Sequence, residues 1–262
     1  LDIFYLFKYY MSKREPLQIL RVRDSNEKHY VKKNDLFDIP FRLLIIGKSQ
    51  SGKSNVLTNF LLNDDDRFYK NDFDGSDIYI WSPSAFTDRK IIMLREERDV
   101  PNSNVFTKFD ENVIEAVYEL LKDEYNDAIN NKEKPTPKLF IFDDMSAGGN
   151  LKKSANGIIA KVFMNGRHIL LSCIVTSQKY ADILTGAREN ATGLIMFSGT
   201  DRQLEQISDD HNFLEDKKSF RKMFRDHTNE RFSFLVVNYH KPLNKGRYMN
   251  KNFQPIDISQ YS

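Results

Sequence analysis

At 262 residues, with 40% hydrophobic and 29% charged residues, the chain is long enough to bury a substantial core and expected to be soluble and globular. No window approaches the roughly 18 apolar residues of a membrane span, and a net charge of +2 gives no global case for nucleic acid, so any basic surface must be local. The lone cysteine, Cys173, excludes an internal disulfide and fits a reducing compartment.

The opening "LDIFYLFKYY" lacks the small-residue cleavage site of a signal peptide and precedes Met11, so residues 1–10 are expected to be non-native. They belong to an extension over 1–40, in which 11–40 is polar and mixed, with room for a small antiparallel strand pair. A domain over 41–240 follows, then a basic tail over 241–262. "FRLLII" (41–46) is a continuous apolar run of the kind buried on both faces of a sheet. "NVLTNFLL" puts Val56, Leu57, Phe60 and Leu61 on one helix face. "DIYIWS" (77–82) is a strand, and 83–109 reads as a long excursion. An amphipathic helix over 110–131 should bury Val113, Val117, Leu120 and Leu121. Next come "LFIFDD" (139–144), a helix near 154–165, "ILLSCIVTSQ" (169–178), "GLIMFSG" (193–199) and "FSFLVVN" (232–238). Buried strands alternating with helices predict an α/β fold, mainly a parallel sheet covered by helices on both faces.

Between the first strand and helix, Gly47-Lys48-Ser49-Gln50-Ser51-Gly52-Lys53-Ser54 matches the phosphate-loop pattern G-x-x-x-x-G-K-S/T without a mismatch. Phosphate oxygens need many donors in a small concave space. Backbone N–H groups of the loop and the helix N-terminus, through Asn55, supply them. Gly47 and Gly52 allow backbone angles and close approach that a side chain would block. Lys53 is expected at the β- and γ-phosphates of ATP, and the Ser54 hydroxyl on Mg²⁺.

A second motif must hold the metal and activate water. "LFIFDD" ends an apolar strand in two carboxylates. Asp143 is placed to hold Mg²⁺, directly or through water, and Asp144 to orient or deprotonate the attacking water. "ILLSCIVTSQ" ends in Thr176-Ser177-Gln178, where Gln178 can bridge the γ-phosphate and the water. No Asn-Lys-x-Asp guanine-reading motif and no Leu-Ser-Gly-Gly-Gln signature occurs, which argues against a GTPase and a transporter-type ATPase.

"GKSQSGKSNVL", "FIFDD", "NGRHILLSCIVTSQ" and "AREN" before an apolar strand occur in the order and near the spacing of one family. Over about residues 40–240 the chain resembles the viral genome-packaging ATPases of the poxvirus A32-like family, which is shared by large DNA viruses and virophages and lies within the FtsK/HerA superfamily. The resemblance implies a RecA-like P-loop NTPase core, with the Gln-ended strand between the phosphate-loop and Asp-Asp strands. It also implies a homo-oligomeric ring, taken as a hexamer, that uses ATP to pull double-stranded DNA into a capsid. The location would be the virion or the host-cell cytoplasm, with capsid proteins as further partners. Asp144 stands where many relatives outside the viral branch carry Glu.

In a ring, Arg188 of the Arg-x-Asn run is the first candidate to reach a neighbour's γ-phosphate, with Arg167 and Arg202 as rivals. "KKSFRKMFRD" (217–226) and "HKPLNKGRYMNK" (240–251) are the candidate DNA-facing segments. Two other readings stand beside the motor: a P-loop kinase with its acceptor held by 83–109, and a nucleotide-gated assembly factor.

Overall fold

The run at 41–46 becomes β1 (Arg42–Ile46), with Leu43 and Ile45 packed into one apolar layer and Leu44 and Ile46 into the other. A strand covered on both faces needs apolar side chains at consecutive positions, which is why no alternation shows in its sequence. The structure, a computed structural model, describes residues 32–145 and 157–261. The extension at 1–10 lies outside the described residues. Of the strand pair expected within 11–40, the described part holds an antiparallel bridge between Lys32 and Ile39.

After β1 come α1 (Lys53–Leu62), β2 (Ile78–Trp81), α2 (Arg89–Glu97), β3 (Val105–Phe106) and α3 (Glu111–Asn130). Then follow β4 (Lys138–Phe142), α4 (Ile158–Asn165), β5 (Leu171–Ser177), α5 (Thr185–Glu189) and β6 (Gly193–Phe197). The chain closes with α6 (Asp201–His211), α7 (Lys217–Thr228), β7 (Phe234–Asn238) and β8 (Tyr248–Met249). The eight strands lie in the order β3-β2-β4-β5-β1-β6-β7-β8. All pair in parallel from β3 to β6, and β7 and β8 add antiparallel partners at one edge. One face is covered by α3, α4, α6 and α7, the other by α1 and α2, giving the expected RecA-like α/β core.

Register aligns the functional ends. β5 lies between β4 and β1, with Phe142 level with Val175 and Ile46 level with Ser177. The residues that follow those strands therefore emerge together at the carboxyl edge, where strand order reverses around β1 and where open α/β sheets place ligands.

Several elements differ from the sequence reading. The 83–109 excursion contains α2, capped by Asp88 accepting from the Lys90 N–H, and β3, which pairs with β2. On α3 the buried stripe is Ile114, Tyr118 and Leu121, while Leu120 is 54% exposed. The stripe is rotated because Tyr118 turns its large ring inward beneath Lys161 of α4, and Val117 packs only at the margin. α6 and α7 went unread because each buries a short stripe, such as Leu204 and Ile207, within an otherwise charged sequence. The expected helix near 154–165 starts at Ile158, and 154–156 lie outside the described residues. The segment expected as a tail contributes β8 and buries Tyr248 and Tyr261.

Candidate functional site

The phosphate loop is stitched to the sheet at its first residue, where the Gly47 N–H donates to the Ser177 carbonyl at 3.1 Å. A Cβ on Gly47 would lie 2.5 Å from Ser51 Oγ and 2.9 Å from Phe197 Cβ, so no larger residue fits. Gly52 takes φ +112° and ends the loop as the N-cap of α1, a backbone state glycine reaches without steric cost. Lys53 is buried, and its Nζ donates to the carbonyls of Gly47 at 2.7 Å and Lys48 at 3.1 Å. Burial holds its pKa below the usual lysine value, opposed by the nearby charges of Asp144 and Asp143.

The carboxylates face this loop. Asp143 is buried and accepts from Thr176 Oγ1 at 2.8 Å and from Ser82 Oγ at 3.1 Å. Burial raises its pKa above the ordinary carboxylate value, against the lowering effect of those two hydroxyls. The Asp144 backbone N–H donates to the same Thr176 Oγ1 at 2.9 Å, and Asp144 sits in the left-handed region at φ +48°. Its Oδ2 accepts from Gln178 Nε2 at 2.8 Å, while its buried Oδ1 has no hydrogen-bond partner among the described residues.

These groups enclose a cavity of about 420 Å³ lined by Ser49, Gln50, Gly52, Lys53, Ser54, Asn55, Asp143 and Asp144, with Ser84, Asp88, Lys90, Arg231 and Phe232 at its margin. Among the described residues no group of three or more His, Cys, Asp or Glu could hold a metal alone. Mg²⁺ commonly takes one or two protein oxygens and completes its shell with substrate phosphates and water. Ser54 and Asp143, which line the same cavity, fit that demand.

The fold thus brings together Lys53, Ser54, Asp143, Asp144 and, through Asp144, Gln178. It does not bring Arg188 to its own chain's loop. Arg188 pairs with Asp210 at 2.8 Å, donates to Thr185 Oγ1 at 3.1 Å and lies 4.8 Å over the Tyr180 ring. The basic run at 217–226 is largely neutralised, since Lys217, Arg221 and Arg225 pair with Asp209, Glu205 and Asp201 of α6.

Ser82, Ser84, Asp88, Lys90, Arg231 and Phe232 were not read as site residues. Ser82, directly after an apolar strand that neighbours the Asp-Asp strand, carried the same strand-end signal as Gln178. Arg231 and Phe232 carried none, because only the fold returns them to the loop.

Solved structures with this architecture include the genome packaging NTPase B204 from Sulfolobus turreted icosahedral virus 2 in complex with AMP. It shares 16% identity at a TM-score of 0.55, covering 86% of this chain and all of that one. B204, the DNA-packaging ATPase from Sulfolobus turreted icosahedral virus, aligns with a TM-score of 0.53, 16% identity, and coverage of 86% and 99%. At this identity the likeness shows the fold. Comparison with curated proteins finds no match. The profile of the poxvirus A32 protein family matches residues 27–240, most of the chain and the whole of the site. With its complete phosphate loop and facing carboxylate pair, this chain belongs to the poxvirus A32 protein family of P-loop ATPases.

Proposed function

We propose that this chain is an ATP-hydrolysing motor that translocates double-stranded viral DNA into a capsid, working as a homo-oligomeric ring taken as a hexamer. The observation that carries hydrolysis is the convergence of Lys53 and Ser54 with the Asp143–Asp144–Gln178 group at one sheet edge. Family membership and the genome-packaging role of the B204 proteins, which share this fold, support the DNA and capsid parts of the reading.

In this reading the loop N–H groups and Lys53 hold the β- and γ-phosphates of ATP. Ser54 and Asp143 would hold Mg²⁺, which would neutralise charge at the phosphate oxygens. Asp144, with one oxygen fixed by Gln178, has the other for the attacking water and takes its proton. Arg188 of one subunit completes the site of the next. ATPase rate with and without double-stranded DNA, together with solution mass, tests this reading. DNA-stimulated hydrolysis by an oligomer is expected. Phosphate transfer to a nucleoside without DNA stimulation would replace the motor with a kinase.

A further inference from the structure

Beside the phosphate-loop cavity lies a second cavity of about 430 Å³, and Gly52, Asn55 and Phe232 line both. We infer that this second cavity receives the purine base of the nucleotide, stacked against Phe232 and Phe253. The inference rests on the ATP reading of the phosphate loop and adds where the rest of the nucleotide lies. Asp143 and Asp144 line the first cavity and not the second, which sets the direction. A triphosphate with its γ end at the carboxylates leads past Asn55 into the aromatic chamber.

The chamber's chemistry suits a planar heteroaromatic ring. Phe68, Phe232, Phe234 and Phe253 contribute to its wall, and Phe253 packs 5.7 Å from both the Phe68 and Phe234 rings. Phe232 is 50% exposed, although phenylalanine ordinarily gains from burial. Phe232 and Phe253 both hold left-handed backbones, at φ +65° and +57°. Bulky residues rarely adopt that state, and it persists where surrounding structure imposes it. Arg231, which lines the phosphate-loop cavity, lies 4.6 Å over the ring of Phe232, the residue that lines both cavities. At the shared rim the Asn55 side chain is exposed and makes no hydrogen bond among the described residues. Its carboxamide can both donate to and accept from the edge of a base.

Affinity for ATP and for inorganic tripolyphosphate, measured by calorimetry on the full chain with Mg²⁺, separates the two cavities. Wild type should bind ATP more tightly than tripolyphosphate. Phe232→Ala should weaken ATP on the order of tenfold, the scale of one lost base–aromatic stack, and leave tripolyphosphate unchanged. Phe232→Tyr should retain the wild-type preference. Phe253→Ala, checked for an unchanged circular dichroism spectrum, should repeat the selective loss. Equal affinity of wild type for the two ligands, or losses in Phe232→Ala that are equal for both or absent, overturns the base site while leaving the phosphate site standing. Binding of neither ligand by wild type overturns the ATP reading and the base site with it.

Discussion

One hydroxyl holds both carboxylates in place. Thr176 Oγ1 donates to the Asp143 side chain and accepts from the Asp144 backbone, so a single buried atom orients the Asp143 carboxylate and pins the left-handed backbone of Asp144. Thr176→Val keeps the volume and removes both bonds, leaving a buried carboxylate oxygen without a partner, at about 1–3 kcal/mol, and a half-buried N–H at a smaller cost. We expect turnover to fall roughly 10- to 100-fold, the usual cost of losing an outer-sphere partner, with a raised Mg²⁺ requirement. Thr176→Ser should restore both. A valine variant with normal Mg²⁺ dependence and rate would sink the clamp. The carboxylates themselves should separate. Asp144→Asn should bind ATP and not cleave it, since the amide cannot take a proton, whereas Asp143→Asn should lose Mg²⁺ dependence and binding together. Nucleotide affinity and single-turnover cleavage of the two variants check the division. Lys53→Ala should abolish hydrolysis and weaken ATP binding by removing the charge-assisted phosphate contact. Near-normal turnover there would end the ATPase assignment of this loop.

At the scale of elements, α6 starts beside the site, where Gln203 Nε2 donates to the Gln178 carbonyl at 3.5 Å, and ends in a buried histidine. Its last residue, His211, is buried, with Nε2 against Tyr180 Oη at 2.7 Å and Nδ1 against Tyr239 Oη. Burial lowers the His211 pKa from 6.5 to about 4, partly opposed by Asp210. Below pH 6.5 the unfolded chain takes a proton that the folded one refuses until about pH 4. The stabilisation is therefore full above pH 6.5 and is lost as pH falls between those values, by roughly 3 kcal/mol. Thermal melts of wild type and His211→Gln across that window check this: the variant should lose most of the acid-side decline. The neighbouring α6–α7 ion pairs are exposed, so each contributes at most about 1 kcal/mol. Their consequence is for charge: Arg221 and Arg225 already face acidic partners, which leaves Lys245, exposed beyond β7, with half-buried Lys241 beside it, as the candidate DNA contacts.

The whole-molecule question is the ring. Within its own subunit Arg188 is held by Asp210 and Thr185, away from the phosphate loop. If it acts on the next subunit, Arg188→Ala chains lack the donor but keep an intact loop, and Lys53→Ala chains have the reverse defect. Each alone should be nearly inactive, since an arginine supplied in trans is worth on the order of 10³–10⁵ in rate. Mixing them places some intact loops against intact arginines and should restore measurable hydrolysis. Assembly and near-normal turnover of pure Arg188→Ala would exclude the trans role and leave Arg167 as the next candidate. DNA stimulation of the wild-type ATPase should fall steeply with salt, because each neutralised phosphate releases counterions.

The sequence by itself determined what depends on neighbours along the chain. The phosphate loop is eight consecutive residues, and its glycines are legible because the turn allows little else at those positions. The strands read as apolar runs because both faces of the sheet are covered, and Asp143, Asp144 and Gln178 stood out as polar ends of such runs. Only the tertiary structure decided which of these ends meet. Thr176 grips Asp143 and Asp144 because β5 pairs with β4 in the sheet, a neighbour relation that neither strand's own sequence contains. Phe232 and Phe253 line one cavity with Gly52 and Asn55 although they are far apart along the chain, brought there by the antiparallel strands β7 and β8. Arg188 found Asp210 through α6, a helix whose short apolar stripe lay hidden among charges. Such contacts leave no periodicity, because periodicity records which face of an element is buried and carries no information about what covers it.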